Sequence, residues 1–151
     1  MDRSEASRDR RIVEALRRKG YRATPQRIAI CRLAISSRDH PTAQRIYKDV
    51  RAQHPTVSLA TVYKTIGVLK ELHMVQELTV IGGDTKFDPN MKAHVNLICL
   101  RCGNVRDLEN QAVQDMIVKA ARTARFEVTG QSSTLYGICD ECETKKEESR
   151  V

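Results

Sequence analysis

The sequence predicts an α+β chain in two parts. Residues 1–83 read as four helices closed by a β-hairpin, and residues 84–151 as a small α/β domain on a three-stranded sheet. Three observations carry this. Apolar stripes at helical spacing recur four times before the turn signal Gly82-Gly83-Asp84. Beyond that turn the apolar pattern changes to period two, the repeat of a strand, with one amphipathic helix set among the strands. Two short-spaced thiol pairs, Cys99-x-x-Cys102 and Cys139-x-x-Cys142, bracket that helix.

The first helix covers residues 5–19, with Ile12, Val13 and Leu16 as its stripe and Gly20 as its stop. Thr24 then caps a second helix, and Pro25 takes a first-turn position where its missing N–H is no loss. That helix carries Ile28, Ile30, Cys31, Leu33 and Ile35. Cys31 has no thiol near it in sequence and reads as a small buried hydrophobe. A polar break over residues 36–41 holds His40. Thr42 caps the third helix, whose apolar face is Ile46, Tyr47 and Val50, and His54-Pro55 ends it.

Ser58 caps the fourth helix, with Leu59, Val62, Ile66 and Leu69 on one side. Ala60, Lys64 and Gly67 lie opposite, and Tyr63 lies on the flank. Small residues, one cation and an aromatic with a polar tip suit a DNA major groove. An ordinary amphipathic helix with a wet outer face gives the same pattern. Residues 75–81 and 85–88 read as strands joined by the glycine turn. Basic helices followed by such a hairpin make a winged helix, which favours DNA binding.

In the second part, residues 94–99 and 105–108 read as strands. Asn110 caps a helix with Val113, Met116, Ile117, Ala120 and Ala124 on one face. Residues 126–138 read as one long strand leading to the second thiol pair. Residues 143–151 read as a charged, frayed tail.

Charge separates the two parts. Residues 1–83 hold 16 Lys/Arg against 8 Asp/Glu, a balance of +8, and residues 84–151 hold 10 against 11. The whole chain of 151 residues is therefore +7. A basic half joined to a near-neutral half suits a nucleic-acid module carrying a second function, although a solvated basic surface has the same composition. Only 4% of the residues are aromatic, so each small domain gains from a staple. No stretch is long and apolar enough to cross a membrane, and the charged N-terminus lacks the apolar core of a signal peptide. The expectation is a cytoplasmic protein, where paired cysteines favour metal over disulfide.

The four paired cysteines match a tetrahedral structural zinc site. They lie 36 residues apart, which leaves room for the helix between them. A redox thiol pair is the rival, but no βαβ unit begins at either motif. A second donor set is harder and oxygen-rich: Asp88, His94, Asn96 and Asp107. His94 and Asn96 share one side of a strand, and such donors suit Fe(II) or Mn(II).

The chain resembles the ferric uptake regulator (Fur) family, and within it the peroxide-responsive branch. The matching motifs are Thr24-Pro25-Gln26-Arg27, His40-Pro41-Thr42-Ala43 and Ala60-Thr61-Val62-Tyr63. They continue with Phe87-Asp88, Ile98-Cys99 with Cys102-Gly103, and Tyr136-Gly137 with Cys139 and Cys142. The resemblance runs over about residues 12–142. The resemblance implies a homodimeric winged-helix repressor that binds double-stranded DNA operators with inverted repeats, and no enzyme. It makes residues 1–83 the DNA-binding domain and 84–151 the dimerisation and metal-binding domain. The DNA-facing set is then Ala60, Thr61, Tyr63 and Lys64.

The resemblance also implies structural Zn(II) at Cys99, Cys102, Cys139 and Cys142. Its regulatory Fe(II) or Mn(II) positions fall on His40, Asp88, His94, Asn96 and Asp107, with His40 and His94 as the oxidation-sensitive residues. A regulatory ion bound by both parts would hold them at one angle and so control DNA binding. One departure stands out: the peroxide branch usually has a third histidine where this chain has Asn96, a weaker ligand for Fe(II). The leading reading is a peroxide-sensing repressor. The alternatives are a relative sensing iron, manganese or zinc supply without oxidation, and a CxxC thiol oxidoreductase.

Overall fold

The computed structural model describes residues 3–80, 83–92, 94–127 and 133–148. The chain divides into two compact units, 1–79 with 84–91, and 80–83 with 92–151.

The first unit contains α1 (Arg3–Arg18), α2 (Pro25–Ser36), α3 (Ala43–Gln53) and α4 (Leu59–Glu71), then β1 (Gln76–Thr79) and β2 (Thr85–Asp88). The caps fall where the sequence put them. Thr24, Thr42 and Ser58 hydroxyls accept from the backbone N–H groups of Arg27, Arg45 and Thr61, and so satisfy donors that a helix start leaves open. The His54 N–H bonds the Val50 carbonyl and closes α3. Ile12, Leu16, Ile30, Ile46, Val62 and Ile66 meet in one core, each at most 1% exposed. Cys31 lies in that core, as expected of a lone thiol.

β1 and β2 pair antiparallel, Gln76 opposite Asp88 and Thr79 opposite Thr85. The unit is a winged helix. Phe87 plugs the hairpin into the helical core, and its N–H bonds the Pro41 carbonyl at 3.0 Å. For that reason β2 packs with the N-terminal unit, whereas a boundary at 83/84 assigns it to the other.

The second unit contains β3 (Val95–Cys99), β4 (Val105–Leu108), α5 (Gln111–Thr123), β5 (Ser133–Gly137) and α6 (Asp140–Glu148). The sheet order is β4-β3-β5, with β3 antiparallel to β4 and parallel to β5. The three-stranded sheet is as expected. The long strand over 126–138 is not: β5 starts at Ser133, and residues 128–132 lie outside the described ones. The Phe126 N–H is spent on the Ala121 carbonyl, closing α5 through Arg125 at φ 52°, so this segment ends a helix instead of starting a strand. Nor is the tail simply frayed. The Cys139 carbonyl accepts from Cys142 and Glu143 N–H groups, and Asp140, Glu141 and Glu143 fill the first turn of α6, where acids meet the positive helix end.

α5 shows the amphipathic pattern predicted, yet none of its residues is buried. Met116 is 62% exposed, Leu135 and Tyr136 on β5 are each 58% exposed, and Phe126 is 72% exposed. The second unit thus presents apolar surface that one copy leaves uncovered.

Phe87→Ala is expected to destabilise the N-terminal unit by about 3–5 kcal/mol. Thr42→Ala, which removes only a cap, should lower stability by about 1 kcal/mol. Denaturant unfolding of both variants checks the ordering.

Candidate metal centres and nucleic-acid face

Each thiol pair sits where a strand ends. Cys99 closes β3, and the chain turns back through Gly103 at φ 67°, with the Gly103 N–H on the Cys99 carbonyl at 3.0 Å. β5 runs parallel beside β3, and the Leu100 N–H bonds the Gly137 carbonyl, which brings Cys139 alongside. Cys142 follows in the first turn of α6. The four sulfurs lie within 4.8 Å of one another. Cys102 Sγ and Cys139 Sγ are 3.7 Å apart. That is far beyond a disulfide bond. It matches the separation of about 3.8 Å that Zn–S bonds of about 2.3 Å give in a tetrahedron.

Backbone donors prepare one of the four for the anionic form. N–H groups of Cys102, Cys139 and Arg101 point at Cys99 Sγ and hold its thiol down at about 6. Cys142 is pushed up to about 12, by burial first and then by the neighbouring thiols. Cys31, in the other unit, is pushed up to about 12 by burial and takes no part.

The harder donors divide between the units. In the N-terminal unit, His40 and Asp88 are 2% and 0% exposed, with His40 Nε2 at 3.6 Å from Asp88 Oδ1. The Thr42–Lys86 bridge and the Phe87–Pro41 bond bring the His40 loop against β2. His40 stands at φ 46°, a left-handed conformation rarely adopted by a residue with a side chain. Gln76 Nε2 donates to Asp88 Oδ2 at 2.6 Å and the Asn90 N–H donates to Oδ1 at 2.7 Å, which fixes the carboxylate plane.

In the C-terminal unit, His94 Nδ1 lies 2.8 Å from the Lys92 carbonyl. A carbonyl only accepts, so Nδ1 carries a proton, and in the neutral ring Nε2 is the nitrogen with the lone pair. That Nε2 lies 3.9 Å from Asp107 Oδ1. Asn96, directly opposite Asp107 in the β3–β4 register, is 0% exposed. Neither atom of its amide has a hydrogen-bond partner among the described residues.

Among the described residues five polar or charged side chains are buried: His40, Thr65, Asp88, His94 and Asn96. Four of these five belong to the metal set read from the sequence. Asp88 and His94 have the hydrogen bonds given above, and a buried amide such as that of Asn96 is costly to leave without a partner.

On α4, Ala60, Tyr63 and Lys64 are exposed, with Tyr63 at 48%. Thr61 is half-buried and its hydroxyl meets Ser58 Oγ at 2.8 Å, so it serves the cap as much as the outer face. Gln44 Nε2 donates to the Tyr63 hydroxyl at 3.3 Å. Lys64 Nζ and the Arg27 guanidinium both stand over the Tyr21 ring, at 5.8 and 5.2 Å from its centre. Sequence reasoning missed Tyr21, Gln44 and Gln76, because each meets its partner through tertiary structure and no periodicity marks it. No helix among the described residues is long and apolar enough to cross a membrane.

A model of the ferric uptake regulator family matches residues 18–136. The peroxide-responsive repressor PerR of Staphylococcus aureus (strain USA300) is 38% identical over 133 residues, covering 88% of this chain and 90% of the relative. The crystal structure of the Vibrio cholerae ferric uptake regulator aligns with a TM-score of 0.69 at 26% identity, over 84% of this chain and 98% of that one. The Helicobacter pylori regulator aligns with a TM-score of 0.77 at 17% identity, over 89% and 90% of the two chains, a likeness of fold.

In metal-free protein, ultraviolet thiolate absorbance should show a component titrating near pH 6 that Cys99→Ser removes. The folded pKa lies below that of a free thiol, so this thiolate stabilises the fold at alkaline pH and ceases to do so as pH falls through about 6.

Proposed function

Because the chain belongs to the ferric uptake regulator family, we propose that it is a metal-dependent, DNA-binding transcriptional repressor that senses peroxide through a regulatory Fe(II) or Mn(II) ion. It is a regulator and not an enzyme. The observation that carries the reading is the burial of four of the expected ligands among the five polar side chains buried in the described residues.

Structural zinc belongs at Cys99, Cys102, Cys139 and Cys142, whose sulfurs have the spacing for it. The same clustering argues against a thiol oxidoreductase, whose pair has to close into a disulfide. The regulatory ion takes His40 and Asp88 from the N-terminal unit, and His94, Asn96 and Asp107 from the C-terminal unit. The donor chemistry fits: two imidazoles and three oxygens, with Asp88 already oriented by Gln76 and Asn90. Fe(II), when bound, would supply one-electron reduction of peroxide, and His40 and His94 would hold it as the oxidisable side chains. The ion controls DNA affinity only through its preference for the binding-competent form.

Ala60, Thr61, Tyr63 and Lys64 face an inverted-repeat duplex operator. A second copy covers the exposed apolar surface of α5 and β5, and a two-fold dimer sets two α4 helices on two half-sites. The protein acts in the cytoplasm, where reduced thiols hold zinc.

Two experiments test this. With a duplex selected by the protein from a random pool, Lys64→Ala should weaken binding and lower the salt slope by about one. An unchanged slope would take Lys64 off the DNA. Second, Mn(II) or Fe(II) should raise operator affinity, and Asp88→Ala should abolish that gain while zinc content stays the same. After brief peroxide, the Fe(II) form should carry one added oxygen on His40 or His94 and release DNA, and the Mn(II) form should do neither. If the Fe(II) form keeps its operator with both histidines unmodified, the protein is a metal-supply sensor.

A further inference from the structure

Asn96 is the second residue of the sheet's central strand, 0% exposed, with Oδ1 and Nδ2 both lacking a hydrogen-bond partner among the described residues. Leaving a buried polar atom unsatisfied lowers stability. An apolar side chain of similar shape would remove that penalty, so nothing in the packing alone calls for an amide here. We propose that Asn96 Oδ1 is a ligand that biases the regulatory site toward Mn(II) over Fe(II). This rests on the regulatory-site reading above and deepens it.

The strand geometry supports the assignment. His94 precedes Asn96 by two residues, so both side chains leave the same face of the strand. Asp107 lies directly across the ladder from Asn96, and its Oδ1 is 3.9 Å from His94 Nε2. With Nδ1 committed to the Lys92 carbonyl, the buried Nε2 is the ring nitrogen on the Asp107 side. The C-terminal unit therefore offers one nitrogen and two oxygens, one of the oxygens neutral. Imidazole suits iron, while carboxylate and carbonyl oxygens suit manganese. Binding strengthens from Mn(II) to Fe(II) at any such site, and nitrogen donors steepen the rise. An amide oxygen at Asn96 flattens it and narrows the preference for Fe(II).

The test uses full-length protein with its zinc in place. Mn(II) and Fe(II) are titrated anaerobically against a chelating indicator, for the native chain, Asn96→His, Asn96→Leu, Asn96→Ala and Asp107→Ala. Asn96→His should raise the Fe(II)/Mn(II) affinity ratio about tenfold or more. Asn96→Leu and Asn96→Ala should weaken both ions by about tenfold or more. Asn96→Leu should also raise the melting temperature of the protein lacking the regulatory ion, since two unsatisfied atoms are gone. Leu and Ala variants that bind Mn(II) like the native chain would show that Asn96 is no ligand. An unchanged ratio in Asn96→His would remove its part in selectivity. If instead the native chain takes up no second ion, or Asp107→Ala binds it normally, the regulatory site itself is wrong.

Discussion

The C-terminal unit depends on its four thiols. Among the described residues its buried apolar side chains are few: Val80, then Val95, Ile98, Cys99 and Val105 in and beside the sheet, with nothing buried on α5. A unit of that size with so little core falls short of the entropy lost on ordering it. The sulfurs supply the missing closure. They join the β3–β4 turn to the β5–α6 junction, two places far apart in sequence, at one point. Arg101 reinforces the knot through the Cys142 carbonyl, and Arg106 pairs with Glu141 at 3.0 Å to hold α6 beside β4. The exposed ion pair adds little by itself, so the geometry rests on the thiol cluster.

The N-terminal unit is stabilised differently. It has a continuous apolar core and three side-chain helix caps, and needs no metal to be compact. Its buried polar groups are therefore conspicuous. His40 and Asp88 lie beside that core, and His40 adopts a backbone conformation unfavourable by about 1–3 kcal/mol. A fold selected for stability alone would have replaced both. On the proposed reading, their burial, like that of Asn96 in the other unit, trades stability for ligand binding.

Much of this was legible in the sequence. Thr24, Thr42, Ser58 and Asn110 announced their helices because a cap is a local transaction between a side chain and the N–H groups two or three residues on. The thiol pairs were legible because metal chemistry constrains spacing. Residues 126–138 misled because strand propensity says nothing about the hydrogen bond by which Phe126 closes α5. α6 was hidden because its charged sequence lacks an apolar stripe, and its stability comes from the cysteine knot and Arg106. Gln76 and Tyr21 were invisible for a similar reason: their roles exist only once the chain has folded.

β3 acts as a spacer bar. It carries His94 just before its start and Cys99 at its end, and it is hydrogen-bonded along both edges. Five residues of extended chain span about 16 Å. Strands on both sides prevent it from shortening or slipping. The His94 imidazole and the Cys99 sulfur are thus kept at opposite ends of this strand. An oxidant short-lived enough to be consumed within a few ångströms of where it forms would be spent before it met a thiolate. On the proposed reading, the strand that builds the sheet also separates His94 from the thiolate of Cys99.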